Sequence, residues 1–413
     1  MKQIRKTALL SICACTILSA GGYKVPEQSI DSVALGAANV AHVKGADASY
    51  YNPANMNWMD AEKSYFEFSL TYINLPSIDF TSAVNPVLNG SSDSENFLLP
   101  TLFYVSPKYD FLRWGLSLTA PAGLSKKWSD PYPKASAEEF TLTVLELNPS
   151  VSIEATENLS LAAGIRFIYS EGKVKSDTKD LNALGIAPGV IGRDMDADMS
   201  EFGYNLALSY KMTPQFTLAA TYRSKVDLKE EGNAKLYFLG SKVYDNSADV
   251  TVPLPAVVTV AASYDFGQTT FEVTYEKTKW SDYSALDFNY EGDVHPGLKQ
   301  FFDDPIAKNW EDTDTWRFGI IHQYNQKLKL MAGFAIDETP VPDETLGFEL
   351  PDADAKIYSL GFDYQITPQT KIGLAYLYDD KDDRDISQGA KGINGTFTKG
   401  GAHLVTAGIK YTY

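Results

Sequence analysis

The end of the chain carries the pattern that most constrains its fold. Between His403 and Tyr413, apolar side chains alternate with polar or small ones, and one face collects Val405, Ala407, Ile409, Tyr411 and Tyr413. A repeat of two residues is that of a β-strand. An apolar strand that ends on an aromatic residue is rare in soluble domains. It is typical of bacterial outer-membrane barrels, in which the last strand closes against the first and leaves no edge in lipid.

The first twenty residues have the composition of a secretory signal. Lys2, Arg5 and Lys6 give a positive start, which an apolar run from Ala8 to Leu18 follows. That run is about eleven residues long, whereas a spanning helix needs roughly 20. We therefore expect residues 1–20 to be a signal peptide, cleaved near Ala20, that directs export to the bacterial outer membrane.

The chain has two cysteines, Cys13 and Cys15, and both lie in this signal. The mature chain is therefore expected to contain none, which excludes a disulfide scaffold, a cysteine nucleophile and a thiolate metal site. Residues 12–15 faintly resemble a lipoprotein box, in which Cys15 would be lipidated. The alternative is that the two cysteines are small apolar residues of the signal core.

Composition agrees with a barrel in lipid. The mean hydropathy of the 413 residues is slightly negative, as expected when only every second residue of a strand faces the membrane. The 25 tyrosines and 21 phenylalanines suit the aromatic girdles of such barrels. A formal net charge of −17 argues against a nucleic-acid partner, since nucleic-acid binding needs a basic surface.

From Lys63 onward, fourteen segments have strand-like character, and short connections alternate with long polar ones. The long connections lie near 74–96, 122–139, 171–198, 229–253, 281–311, 338–353 and 381–401. Alternating tight turns and long loops are typical of outer-membrane barrels, with the turns in the periplasm and the loops outside the cell. We predict an all-β protein whose residues 63–413 form a fourteen-stranded antiparallel transmembrane β-barrel.

Residues 21–62 lack this alternation and are rich in alanine and glycine. The segment is too short and too weakly apolar to form a core of its own. We expect it to pack inside the barrel as a small N-terminal plug.

Several motifs resemble those of FadL/TodX-type outer-membrane transport proteins, in the same order along nearly the whole mature chain. They are Asp47-Ala48-Ser49 with Asn52-Pro53-Ala54, Pro121-Ala122-Gly123-Leu124, Thr213-Pro214 with Tyr222-Arg223-Ser224-Lys225, and Asp337 to Asp343 with Leu350 to Asp354. The resemblance implies passive uptake of long-chain fatty acids or other hydrophobic compounds. Outer loops would capture the ligand, a pocket above the plug would hold it, and a gap at a kinked third strand would release it sideways.

The resemblance also assigns roles to individual residues. It places the mature N-terminus, Gly21, Gly22 and Tyr23, at the ligand pocket and makes Lys308 a partner of the fatty-acid carboxylate. A cation is needed there because burying an unpaired carboxylate is costly. The family's arginine after the fifth strand is missing here, and Lys173 or Lys175 is the candidate substitute, with weaker bidentate geometry.

Two further features concern the movement of the plug and the lateral exit of the ligand. Asn52-Pro53-Ala54 is interpreted as a turn that shapes the plug, because proline fixes φ and asparagine tolerates turn conformations; its functional role would be to move when ligand arrives. In the third strand, Gly115, next to Trp114, is the predicted position of a bulge or kink. An ordinary barrel glycine is the alternative.

Other functions remain as alternatives. The chain has no G-x-S-x-G elbow, and alternation points His322 and His403 toward lipid, so we predict no enzyme activity and no cofactor. Asp352 with Asp354, or Asp194, Asp196 and Asp198, could bind Ca²⁺, but their spacing is not that of an EF-hand loop, and we predict no metal site. A monoaromatic hydrocarbon or alkane channel and a porin or adhesin are the competing functions. The predicted partners are hydrophobic small molecules, membrane lipid and lipopolysaccharide, and the protein is expected to be a monomer.

Overall fold

The computed structural model describes residues 21–187 and 189–413, which form a closed antiparallel barrel of fourteen strands, as predicted. The predicted signal peptide lies outside the described residues. The strands are β1 Tyr65–Leu75, β2 Glu95–Val105, β3 Leu112–Lys127, β4 Glu139–Thr156, β5 Leu159–Asp177, β6 Ile191–Lys211, β7 Phe216–Arg223 with Val226–Phe238, β8 Ser241–Leu254 with Val257–Phe266, β9 Thr269–Thr278, β10 Thr313–Gln323, β11 Leu328–Asp337, β12 Ala355–Gln365, β13 Thr370–Lys381 and β14 Gly401–Thr412. The first and last strands close the barrel, with Tyr65 opposite Thr412 and Asn74 opposite His403.

Short elements fill the long connections and the N-terminal segment. Four short strands from the first and last long loops form a second sheet: Asp79–Ser82, Gly90–Ser91, Arg384–Ile386 and Gly395–Thr398. Phe288–Tyr290 extends the wall beside β8, and Ala285–Leu286 pairs with Ile306–Ala307. In the described part of the chain, the α-helices are Ile30–Ala34, Ala48–Tyr51, Pro131–Ala137 and Lys179–Ala183, and a 3₁₀ helix spans Pro53–Trp58.

Alternation along the strands sorts the side chains as the sequence predicts. In β1, Phe68, Leu70 and Tyr72 are exposed, whereas Ser69 and Thr71 between them are fully buried. The last strand repeats this arrangement with apolar residues on the outside. An apolar outer surface over a polar interior is what a barrel in lipid requires.

Beyond this apolar belt the pattern reverses. The ends of β5 to β8 near the long loops bury apolar residues inside the barrel, namely Val174, Met195, Leu228, Leu236 and Val250. Charged residues such as Asp196, Lys229 and Glu231 face outward there. The segments predicted as loops near 171–198 and 229–253 are therefore mostly strand. The wall continues past the lipid, and its outer face is polar because it meets water.

The wall is interrupted between β2 and β3. These strands pair over only four residues, from Leu102 opposite Leu118 to Val105 opposite Gly115. Past this point, the register between β3 and β4 shifts between Thr119 and Ala122, where β3 carries one extra residue. Such a β-bulge bends the strand and leaves part of its backbone unpaired.

This position corrects the predicted kink. Trp114 and Gly115 pair regularly with Val151 and Ser150, and the irregularity lies further along, at Ala120 and Pro121. Proline has no N–H to donate to a neighbouring strand. Gly115 instead allows close packing, since a Cβ there would lie 2.6 Å from Met56 Sδ.

Residues 21–62 lie among inward-facing side chains from strands all around the barrel. Asp31 forms ion pairs with Lys329 of β11, at 2.7 Å, and with Lys410 of β14. The carboxylate of Glu272 in β9 accepts hydrogen bonds from the main-chain N–H groups of Val40, Ala41 and His42. On the other side, Arg113 of β3 donates to four main-chain carbonyls between Met56 and Lys63.

We expect Asp31→Asn to loosen this segment without preventing barrel assembly. The substitution leaves Lys329 and Lys410 to share Asp363, which lies 2.7 and 2.9 Å from them. Breaking a buried ion pair by removing one partner costs about 3 kcal/mol. Ion conductance in planar bilayers should therefore rise, while the folded barrel keeps its heat-modifiable migration on gels.

Asp245→Asn is the matched control, because the Lys242–Asp245 pair is exposed and contributes little. Wild-type conductance in the Asp31→Asn protein would contradict the role assigned to this ion-pair network.

Candidate functional site

The start of the described chain is held in an aromatic cluster. Tyr23 is 2% exposed, and its ring centre lies 4.7 Å from that of Trp280, 5.6 Å from Trp310 and 6.4 Å from Tyr283. The Tyr23 hydroxyl donates to the main-chain carbonyl of Pro253. Residues from distant loops and strands therefore fix the position of this one side chain.

The two glycines before Tyr23 are needed for this packing. Gly21 and Gly22 have φ values of +73° and +80°, in the left-handed region that favours glycine. A Cβ on Gly22 would lie only 2.8 Å from the Trp280 ring and 3.0 Å from that of Trp310. The Gly22 N–H donates to the Asp352 carboxylate at 3.1 Å, so this aspartate holds the segment in place.

The same segment pairs with the irregular part of β3. The Val25 N–H donates to the Pro121 carbonyl, and the Gly123 N–H donates to the Tyr23 carbonyl, both at 2.9 Å. The Gln28 side chain accepts from the Ala120 N–H at 2.8 Å and donates to its carbonyl at 2.9 Å. The N-terminal segment thus satisfies backbone groups that β2 leaves unpaired, which a wall in lipid requires.

A small apolar inner pocket, with a cavity volume of about 40 Å³, lies next to Tyr23. Its walls come from inward-facing residues of β3 to β5, β7 and β8, and from the loops that carry Tyr283, Trp310 and Leu350. Its charged lining residues are Glu230, Lys308 and Glu349. A mostly apolar pocket with a few polar groups is the usual form of a small-molecule site.

A larger outer pocket, with a cavity volume of about 510 Å³, lies among the long loops. Five residues line both pockets: Phe140, Leu286, Lys308, Gly347 and Glu349. These shared residues place the ion pair between Lys308 and Glu349 at the boundary between the pockets. Lys308 is 4% exposed, so this boundary is largely shielded from water.

The Lys308–Glu349 pair is firmly positioned. The Lys308 N–H donates to the Ser284 carbonyl at 2.8 Å, and the Lys308 carbonyl accepts from the Thr345 hydroxyl at 2.6 Å. Burial by itself would raise the pKa of the Glu349 carboxyl, but the Lys308 ammonium beside it holds that pKa below its usual value. Glu349 therefore neutralises the lysine that the family resemblance assigns to a substrate carboxylate.

A third cavity, of about 80 Å³, lies on the other side of the Tyr23 segment. Lys24, Val25 and Pro121 line it, together with Arg166 and Arg223. Both arginines are ion-paired with the buried Glu146. The three cavities follow one another from the loops to the irregular part of β3, separated first by Lys308 and Glu349 and then by the Tyr23 segment.

Two predicted cations are not at these pockets. Gly172 and Val174 line the inner pocket, and strand alternation turns Lys173 and Lys175 to the opposite face of β5. Lys173 lies 3.1 Å from Glu139, and Lys175 lies 3.8 Å from Asp194. The structure therefore does not bring either lysine to these cavities.

The turn at Asn52, Pro53 and Ala54 lies deeper in the N-terminal segment. The Asn52 side chain accepts from the Ala54 N–H at 3.2 Å and donates to the Val40 carbonyl at 3.0 Å. Pro53 is the first residue of the 3₁₀ helix that follows. The turn thus connects two stretches of the segment without contacting the inner pocket.

Sequence reasoning missed the aromatic and acidic partners of the predicted residues. Trp280, Trp310 and Glu349 stand in long polar loops where no local pattern distinguishes them. The bulge at Pro121 did carry a signal, because proline inside a strand marks an edge or a bulge.

A family model described as "Outer membrane protein transport protein (OMPP1/FadL/TodX)" matches residues 11–413. The chain belongs to this family. The long-chain fatty acid transport protein of Salmonella typhi is 24% identical over 367 residues, which cover 79% of this chain and 80% of that protein. OMPP1/FadL/TodX members are transport proteins of the outer membrane, so this chain is an outer-membrane barrel with a transport function and is not an enzyme.

Solved structures agree on the fold of this FadL/TodX-family barrel. A FadL homologue of Pseudomonas aeruginosa superposes with a TM-score of 0.82 at 20% identity, covering 95% of this chain and 99% of that one. The toluene transporter TbuX of Ralstonia pickettii gives a TM-score of 0.69 at 20% identity, with 93% and 97% covered. At such identities, the likeness concerns the fold alone.

We expect Gly22→Ala to displace Tyr23 from the aromatic cluster. A left-handed backbone costs a non-glycine residue roughly 1–2 kcal/mol, and the overlap with Trp280 and Trp310 adds to that. Tryptophan fluorescence should shift to longer wavelength as these rings gain contact with water.

Gly240→Ala is the matched control. Gly240 also has a left-handed φ, of +78°, but a Cβ added there would meet no neighbouring residue within 4 Å. An unshifted spectrum for Gly22→Ala, equal to that of the control, would show that the cluster does not depend on the glycine.

Proposed function

We propose that the protein carries long-chain fatty acids or similar hydrophobic compounds passively across the outer membrane. The observation that supports this is the series of three cavities, which begins among the loops and ends beside the interrupted wall of β3. The loops capture the ligand in the outer pocket, and the inner pocket receives it above Tyr23. Each CH₂ group buried on the way contributes about 0.8 kcal/mol, which a water-filled pore would not offer.

Exit is sideways, between β2 and β3. Residues 21–62 act as a plug across the lumen, so the axial route is closed. Over the interrupted part of the wall, contacts come from the N-terminal segment through Gln28 and Val25. These hydrogen bonds can be exchanged when the segment shifts, and the turn at Asn52, Pro53 and Ala54 provides a place for that shift. Lateral release delivers an apolar ligand to lipid and avoids water.

A second candidate is a channel for monoaromatic hydrocarbons. The rings of Tyr23, Trp280, Tyr283 and Trp310 favour an aromatic ligand, and Glu349 already neutralises Lys308. Relatives are named for either substrate: the Salmonella protein for long-chain fatty acids and TbuX for toluene. The two ligand classes differ in charge, so one experiment separates them.

The test is uptake by a strain that lacks its own fatty-acid transporter and expresses this protein, with radiolabelled oleate and toluene compared side by side. We expect oleate uptake above that of the strain with an empty vector. Toluene uptake without oleate uptake would favour the hydrocarbon channel. Uptake of neither, with a folded barrel present in the membrane, would contradict the transport proposal and favour a porin or adhesin.

Lateral exit has its own test, deletion of Pro121. Because β3 carries one extra residue between Thr119 and Ala122, removing one restores regular alternation and allows β2 and β3 to pair further. Uptake should fall to the level of the empty vector, with the barrel still folded. Pro121→Ala keeps the residue count and should retain uptake. Normal uptake by the deletion variant would rule out this exit.

A further inference from the structure

The outer pocket contains a buried arginine that none of the functions above uses. Arg193 stands near the start of β6, opposite Ser176 of β5 and Leu236 of β7. It lines the outer pocket and is 6% exposed. Its guanidinium carbon lies 3.9 Å from the ring centre of Phe288 and 5.3 Å from that of Phe302.

Arg193 has no acidic partner among residues 21–187 and 189–413. Its Nε and Nη1 atoms are buried without a hydrogen-bond acceptor, and no carboxylate of these residues lies within ion-pair distance. The other buried arginines differ: Arg113 donates to main-chain carbonyls, Arg166 pairs with Glu146, and Arg317 donates to the Gly36 carbonyl. Leaving buried N–H groups of a charged side chain unpaired is costly, so the arrangement requires an explanation.

The aromatic rings provide only part of the interactions that a buried guanidinium needs. Phe288 and Phe302 contact it through cation–π interactions, which stabilise the charge but do not accept the N–H groups. Those N–H groups lie in the guanidinium plane, where they match the two oxygens of a carboxylate. The Tyr290 hydroxyl lies beside Arg193 and can accept one N–H of the guanidinium; burial raises the pKa of Tyr290, and the Arg193 guanidinium opposes that rise. The Tyr290 O–H itself has no acceptor among the described residues. The Tyr290 O–H and the Nε and Nη1 groups of Arg193 therefore remain as neighbouring donors without an acceptor in this part of the chain.

Most of the remaining lining is apolar, with Phe238, Phe302, Phe348 and Ile393 among its residues; Lys391 also lines the pocket, but it is exposed, unlike Arg193. Such walls suit an alkyl chain, whereas the donors at Arg193 suit an anionic head group. Lys308, which also lines the pocket, is already paired with Glu349. Arg193 is thus a buried cation of this pocket whose charge no acidic side chain of the described residues neutralises.

We propose that Arg193 binds the carboxylate of a long-chain monocarboxylic acid in the outer pocket, before the acid passes the Lys308–Glu349 pair. The inference rests on the proposed function, since it takes the outer pocket to lie on the uptake route. It moves recognition of the carboxylate from Lys308 to a different residue and a different cavity. With this role, Arg193 favours the capture of fatty acids over that of uncharged hydrocarbons.

Equilibrium binding to the full barrel in lipid nanodiscs tests this, with radiolabelled oleate and oleyl alcohol as probes of equal chain length. Arg193→Gln should weaken oleate binding by about tenfold to a hundredfold, the range for a charge-assisted hydrogen-bonded pair. Oleyl alcohol binding should stay within about twofold, because the alkyl chain contacts the same apolar walls. Arg193→Lys, which keeps the charge but not the planar fork, should bind oleate with intermediate affinity.

Lys399→Gln is the charge-matched control, because Lys399 is an exposed loop cation paired with Asp79, outside the pocket. It should change oleate binding by less than about twofold. Equal losses for oleate and oleyl alcohol in Arg193→Gln would assign Arg193 a structural role and overturn the inference. Unchanged oleate binding in that variant, or equal weakening by Lys399→Gln, would overturn it as well.

The wild-type protein separates this inference from the proposed function. Binding of oleyl alcohol without oleate would overturn the role of Arg193 and leave hydrophobic uptake standing. Binding of neither probe would contradict the proposed function itself.

Discussion

A barrel in lipid must satisfy every backbone N–H and C=O group of its wall, because no water is available to do so. Between β2 and β3, strand pairing alone leaves backbone groups unsatisfied, because the two strands pair over only four residues before they separate. The N-terminal segment supplies what is missing: Val25, Tyr23 and Gln28 bond the backbone of Ala120 to Gly123. The segment is therefore part of the wall and also packs against inward-facing side chains, so any movement of it changes the wall.

The second organising feature is the reversal of polarity along β5 to β8. Where the barrel meets lipid, apolar side chains face out and polar ones face in. Beyond the lipid, Val174, Leu236 and Val250 face in and charged residues face out. The reversal creates an apolar interior above the membrane, which is where the inner and outer pockets lie. Few charged groups line these pockets. Lys308 and Glu349 lie at the boundary between the two, and Arg193 lies in the outer one.

Much of the fold was predictable because strand alternation is a local property. Val405, Ile409 and Tyr411 face outward as their spacing indicates, and fourteen strands follow from counting such segments. The extended ends of β5 to β8 were predicted as loops because a strand in lipid is expected to place its apolar residues outside. Where the strand meets water, polar residues face outward and apolar residues face inward. The outward charges of Lys173 and Asp196 were therefore read as those of a loop.

The candidate site was predictable only in part. Tyr23 and Lys308 were assigned to the ligand site through a family resemblance. Their partners Trp280 and Glu349 lie far away in sequence and contact them only in the folded barrel. The kink was assigned to Gly115 because glycine permits a bulge. The structure puts it at Pro121, where a residue without an N–H meets an extra position in the strand.

The most direct test of lateral release is a crystal structure of the barrel with a terminally brominated fatty acid, using the anomalous density of bromine to locate the ligand. We expect bromine in the cavities on either side of the Tyr23 segment and at the opening between β2 and β3. Bromine along the barrel axis, through residues 21–62 toward the periplasm, would contradict this route.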